Sequence, residues 1–258
     1  MNTFTDSFTT AFSLITSLDP VLASITGRSL AVSSAACLIA CSAGLLLGSW
    51  LGVARFAGRG VVLALLNTAL ALPSVVVGLV VYLLLSRSGP LGFLGWLFSF
   101  KAMVLAQAVL VLPVVMALVR QTIEDADRLH GEQFQSLGAG RFWRSLLLLW
   151  DERFALLTVV IATFGRAISE VGAVMVVGGN IDGFTRVMTT AIALETSKGD
   201  LPLALALGIV LLALVLLLNG LISAIRYGVR RQALNEAVIS QQALESTPSN
   251  TLQPAALP

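Results

Sequence analysis

FALLTVVIATFGRAISEVGAVMVVGG, residues 154–179, is long and apolar enough to cross a bilayer, yet it carries Arg166 and Glu170 near its middle. A helix needs about 20 predominantly apolar residues to span the hydrocarbon region. A charged side chain at the centre of such a helix costs roughly 2.5–3.5 kcal/mol on insertion scales. The rest of the chain decides whether this is a membrane span, and the two charges then need a reason.

Of the 258 residues, 57% are hydrophobic and 12% charged. Soluble domains average about 25% charged. Mean hydropathy is +0.90, so the chain reads as a membrane protein. The net charge of +2 is too small for the basic footprint of a nucleic-acid binder. Cys37 and Cys41 share one helical face with no further ligand nearby, so they read as small packing residues, not a metal site. The first 27 residues hold Asp6 and Asp19 but no Lys or Arg, unlike a cleaved secretory signal.

Charges punctuate the sequence into runs of spanning length. Residues 29–54, 60–86, 102–119 and 201–225 are uncharged, and 154–181 is broken only by Arg166 and Glu170. Five spans follow, in an all-α polytopic fold. With the N-terminus outside, the inner side holds Arg55, Arg59, Arg120, Arg128, Arg141, Arg144, Arg153, Arg226, Arg230 and Arg231. The outer side holds Arg28, Arg87, Lys101, Arg186 and Lys198; ten against five favours N-out, C-in. Residues 1–27 then form an extracytoplasmic segment, with Phe4, Phe8, Phe12 and Ile15 spaced for an interfacial helix that Pro20 ends. Residues 28–230 form the transmembrane domain, and 231–258 read as a polar, irregular cytoplasmic tail. Gly44, Gly48 and Gly52 recur every fourth residue, a close-packing signal. Pro73 and Pro113 fall inside spans two and three, where each is expected to kink its helix.

Arg166 and Glu170 stand four apart, so on an unbroken helix they share a face and can pair. Gly165, Ser169, Gly172 and Ala173 keep their surroundings small. Two readings stay open: the pair lines a hydrated anion route, or it pins this helix to its neighbours. Asn67, Thr68 and Ser74, around Pro73, are candidate polar lining from another span, or ordinary interhelical hydrogen-bonding groups. No G-x-x-x-x-G-K-[ST] phosphate loop occurs: the lysines are Lys101 and Lys198, and neither fits. Catalysis within the bilayer has no residues either, because His130 lies in a loop and no span contains aspartate. A secondary transporter would show inverted repeats and broken helices, and five spans do not divide into equal halves.

The longest connection, 121–153, reads QTIEDADRLHGEQFQSLGAGRFWRSLLLLWDER. IEDADRLHGEQFQSL fits a helix, Gly138 and Gly140 break it, and RFWRSLLLLW begins a second. Two helices with a glycine elbow make a knob that can enter a cleft on a soluble partner. The loop resembles the coupling loop of ABC-transporter permease subunits, with its EAA triplet, three residues and a glycine. Glu132, Gln133 and Phe134 take the triplet's place, Gly138 the glycine's and Leu148 that of a later Ile, while Trp150 and Asp151 replace the closing Leu-Pro. Gly140, Arg141 and Trp143 complete the elbow. Residues 67–92 (NTALALPSVVVGLVVYLLLSRSGPLG) and 165–180 (GRAISEVGAVMVVGGN) resemble permeases of the molybdate, sulfate and tungstate group, and 181–200 is most similar to tungstate permeases.

The resemblance implies a type I ABC importer permease fold with a translocation pathway, and the candidate lining of that pathway is Arg166, Ser169, Glu170, Gly172, Asn67, Thr68 and Ser74. It implies a second copy of the chain, two cytoplasmic ATP-binding subunits that hold ATP and Mg, and an extracytoplasmic substrate-binding protein. Asn180, Asp182, Arg186 and Lys198 are candidate contacts for that protein. No cofactor is implied on this chain, and the setting is the cytoplasmic membrane of a bacterium or archaeon. Tungstate is the expected anion, with molybdate and sulfate as alternatives within the group and an ion-gradient-driven transporter as the alternative from another class.

Overall fold

A computed structural model describes residues 3–246, and these are all-helical, with no strand. Three helices are long and apolar enough to span a membrane: α2 (Pro20–Val53), α5 (Phe100–Ser136) and the first part of α10, Leu201–Ile225. Two further spans are bent pairs. α3 (Arg59–Leu70) and α4 (Ser74–Leu85) meet at 101°, and α7 (Arg153–Ile168) and α8 (Gly172–Gly178) at 56°. Counting each pair once gives the five expected spans. Short helices α1 (Thr3–Thr16), α6 (Arg141–Asp151) and α9 (Met188–Lys198) connect or flank them.

Each boundary has a local cause. Pro20 opens α2 at the position where its missing N–H costs nothing, and the Asp19 carboxylate accepts from the Val21 and Leu22 amides at 2.9 and 3.0 Å. α2 therefore begins before Arg28, whose Nη1 donates to the Arg186 carbonyl at 3.1 Å. Pro73 sits at the N-cap of α4, so the expected kink is a full break of the helix. Pro113 behaves otherwise: α5 passes through it as one helix, with Val111 and Val115 on either side fully buried. Such burial holds the helix together at the cost of one backbone hydrogen bond.

α2 and α5 form the central pair, and the glycine stripe sets their spacing. A Cβ on Gly44 would lie 2.6 Å from Val115 Cγ1, and one on Gly48 would lie 2.9 Å from the Met116 carbonyl oxygen. On Gly52 it would lie 3.0 Å from Ile123 Cγ2. Without hydrophobic drive in lipid, this close backbone approach supplies the dispersion contacts that hold the pair. α4 and α8 make a second close contact, where a Cβ on Gly78 would lie 2.8 Å from Ala173 Cα. α1, α9 and α10 close a third cluster around Ala11, Ile25, Met188 and Leu207. Of the stripe expected on α1, Phe8 and Phe12 are exposed, and the side chain of Phe4 lies outside the described residues. α10 stays helical to Ser246, past residue 231 where the polar tail begins, so the first part of that tail is helix and not irregular chain. Residues 232–246 contain no glycine or proline to stop it. Residues 247–258, the end of that tail, lie outside the described residues.

Candidate translocation site and coupling elbow

The elbow follows from helix-termination chemistry. At the end of α5 the Gly138 amide donates to the Gln135 carbonyl at 3.0 Å, and the Ala139 amide donates back to Phe134 at 3.0 Å. These are the two bonds of a Schellman motif, which needs a left-handed residue between them. Gly138 supplies it at φ 79°. Gly140 has φ −65° and caps α6 in an ordinary extended conformation.

α6 is seated by one face. Leu148 is fully buried among Val53, Ile123 and Ala126, and Arg144 Nε meets Asp127 Oδ1 on α5 at 2.8 Å. Its other face is bare. Phe142 and Trp143, in edge-to-face contact, are each more than 60% exposed, and Leu137 and Trp150 beside them more so. Glu132, Gln133 and Arg141 are also exposed, while Phe134 packs inward against the Leu148 cluster. An apolar, aromatic knob with a charged rim is the result.

The two helix breaks meet. A Cβ on Gly172, at the start of α8, would lie 2.7 Å from Ser74 Oγ at the start of α4. The first amides of α4 have no side-chain cap. Unsatisfied amides at a helix start favour anions. Asn67 and Thr68 lie on the exposed side of α3, across the 101° bend from Ser74, with the Thr68 hydroxyl donating to the Ala64 carbonyl.

The expected Arg166–Glu170 pair does not form. α7 stops at Ile168, so the four-residue spacing no longer places the two side chains on one face. Arg166 is exposed, and among the described residues it has no ion-pair partner. Glu170 is buried and turns to α8, where its Oε1 accepts from the Ala173 amide at 3.3 Å. Its carbonyl accepts from the Thr189 hydroxyl at 2.7 Å. Gln107, which sequence reasoning passed over, is 3% exposed in the middle of α5 and donates to the Ala167 carbonyl at 2.9 Å. It satisfies one of the orphan carbonyls at the broken end of α7. A lone amide inside an otherwise apolar span was the available signal. Ser169, exposed, donates to the Gly165 carbonyl.

At the opposite end, two of the four candidate contact residues, Asn180 and Arg186, are tied into the fold. Arg186 is largely buried, 3.1 Å from Asp182 and 3.8 Å from the buried Glu195, which also meets Lys198 at 3.0 Å. Asn180, at φ 50°, donates to the Thr190 carbonyl. Only Asp182 and Lys198 present their side chains outward.

A further cluster joins three segments at the elbow end. Glu124, one turn past Arg120, meets Arg120 at 2.7 Å, Arg59 at 2.9 Å, Arg128 at 3.2 Å and Arg55 at 3.7 Å. Burial pushes its carboxyl up, but hydrogen bonds and charge from Arg59 and Arg120 outweigh this and hold it at about 2. The Arg120–Glu124–Arg128 spacing was legible as a helical triad. Arg55 and Arg59 reach it only through the fold.

Comparison with known proteins agrees on one family. Residues 44–231 match the model of the "binding-protein-dependent transport system inner membrane component". The tungstate uptake system permease protein TupB of Peptoclostridium acidaminophilum is 40% identical over 226 residues, covering 88% of this chain and 99% of that protein. The TupB protein of Campylobacter jejuni is 43% identical over 155 residues, 60% of this chain and 65% of that one. The molybdenum transport system permease protein ModB of Escherichia coli is 33% identical over 187 residues, 67% and 80% of the two chains.

Proposed function

The chain belongs to the family of binding-protein-dependent transport system inner membrane components, the permeases of type I ABC importers, and on that premise we propose that it carries tungstate across the membrane. The observation that carries the choice of anion is the 40% identity running through 99% of a tungstate permease. Molybdate is the alternative within the group, at 33% identity to its permease.

In this reading a separate subunit burns ATP, with its Mg, and receives the aromatic knob of Phe142, Trp143 and Trp150. The exposed Glu132, Gln133 and Arg141 form the rim of that contact. Asp127–Arg144 and buried Leu148 transmit its movement to α5 and α2. Two copies of the chain enclose the route. Asp182 and Lys198 are the two residues of the outer group exposed enough to meet a binding protein, with Asn180 and Arg186 holding their loop. The membrane is the cytoplasmic membrane of a bacterium or archaeon, with the elbow inside.

The anion passes the junction of the two breaks. Ser74 and the uncapped start of α4 offer donors, Arg166 an unpaired positive charge, and Asn67, Thr68 and Ser169 polar lining. Glu170 and Gly172 set the angle of the break. Weak, distributed attraction suits a conduit, because the ion must also leave. Broken helices occur in secondary transporters too. What favours an ATP-driven device is the seated elbow, which an ion-gradient carrier has no use for. The test is reconstitution with the ATPase and the binding protein: ATP hydrolysis stimulated by tungstate-loaded binding protein more than by molybdate or sulfate supports the assignment. Stimulation by sulfate alone overturns it.

A further inference from the structure

The arginine ring around Glu124 has more charge than its own carboxylate can answer. Four guanidiniums face one carboxylate, and among the described residues none of the four has another acidic partner within 4.0 Å. Three positive charges are left over. Their donors are also underused. Among the described residues, Arg55 reaches Glu124 only at 3.7 Å and its guanidinium makes no hydrogen bond, Arg128 makes one, and Arg120 Nε is buried with no partner. Arg59 and Arg120 are the inner members, with side chains 17% and 23% exposed, while Arg55 and Arg128 are 53% and 67% exposed and open outward.

The ring lies at the ends of the apolar runs, the level at which a phospholipid headgroup would sit. Arg55 follows the end of α2, Arg59 opens α3, and Arg120 closes the apolar run of α5, so all three mark one boundary of the hydrocarbon. Apolar surface adjoins it. Trp50 and Phe56 stack at 5.5 Å and are both exposed. On α3, Val61, Val62 and Leu65 are exposed and only Leu66 is buried. A strongly basic pocket between helix ends beside exposed aliphatic and aromatic surface suits an anion with acyl chains attached.

We propose that this ring is a binding site for the phosphate of an anionic phospholipid, held by Arg55 and Arg128, with the acyl chains along the Trp50–Phe56 pair and the outer face of α3. Glu124 then keeps the inner arginines in place and leaves the outer two to the lipid. A free tetrahedral dianion offers the same oxygen chemistry without the chains, and the experiment separates the two sources.

The full-length protein is purified in a neutral detergent. Phosphatidylglycerol or phosphatidylcholine is added, and lipid retention is read by native mass spectrometry beside thermal stability. Separate arms receive inorganic phosphate or tungstate. Each exposed arginine near an anionic lipid surface contributes about fivefold in affinity. We expect phosphatidylglycerol to be retained and to raise the melting temperature above phosphatidylcholine. Arg55→Gln with Arg128→Gln should lower that preference about 25-fold. Arg55→Lys with Arg128→Lys, which keeps both charges and controls for folding, should keep most of it. Equal retention of the two lipids overturns the proposal, as does an undiminished preference in the Gln variant. Stabilisation by phosphate or tungstate but not by phosphatidylglycerol overturns the lipid as occupant.

Discussion

Gly138 and Gly140 look alike in the sequence, two glycines in the same elbow, yet the structure gives them opposite tolerance. Gly138 is at φ 79° with nothing within 4 Å of a Cβ, so Gly138→Ala meets no clash and suffers only the left-handed backbone cost. That cost is roughly 1–2 kcal/mol. Gly140 is at φ −65° with equally open surroundings, so Gly140→Ala has neither cost. Gly138→Asn should recover much of the loss, because asparagine tolerates the left-handed region. Gly138→Pro should be worst, since it fixes φ near −65° and deletes the amide that donates to Gln135. A cost of 1–2 kcal/mol lowers the population of the correctly turned elbow roughly 5- to 30-fold where that turn is marginal. The assay is affinity of the detergent-purified chain for its ATPase subunit, beside membrane insertion. The order should be wild type and Gly140→Ala, then Gly138→Asn, Gly138→Ala and Gly138→Pro, with insertion unchanged throughout. Equal loss from Gly140→Ala and Gly138→Ala would refute the reasoning from backbone conformation.

Gly48→Ala places its Cβ 2.9 Å from the Met116 carbonyl oxygen and should destabilise the α2–α5 pair by about 1–3 kcal/mol in a thermal melt, while Gly27→Ala, inside the same helix with nothing within 4 Å, should be neutral or slightly stabilising. Arg166→Ala should reduce transport far more than assembly with the ATPase, since among the described residues its removal strands no ion-pair partner; equal loss of both would make Arg166 a packing residue. The Glu124 carboxyl, depressed to about 2, gives a stabilisation that is complete above the unfolded value of about 4.3 and is lost as pH falls through 2. Acid melts should therefore show a slope below about pH 4 that Glu124→Gln flattens; an identical slope in the variant would place the proton uptake elsewhere.

The spans were legible because lipid enforces long uncharged runs, and those runs map onto α2, the α3–α4 pair, α5, the α7–α8 pair and α10. The elbow was legible because glycine placement is a backbone requirement, written one residue at a time. Gly44, Gly48 and Gly52 were legible as contact, though not their partner on α5. The α7–α8 break was not: no proline marks residues 169–171, so Arg166 and Glu170 were paired by a helical spacing that the chain does not keep. What ends α7 is tertiary, the Gln107 amide on Ala167 and the Thr189 hydroxyl on Glu170, from residues 60 and 19 positions away. The low exposure of Arg186 was not legible for the same reason, because Glu195 comes within 3.8 Å of it only once α9 is in place.

The most direct test asks what drives the anion. Proteoliposomes holding this chain with its ATPase and binding protein should accumulate labelled tungstate only when ATP is supplied on the elbow side, and uptake should vanish when the ATPase subunit is omitted. Undiminished uptake without that subunit, powered by a proton or sodium gradient alone, would contradict the account.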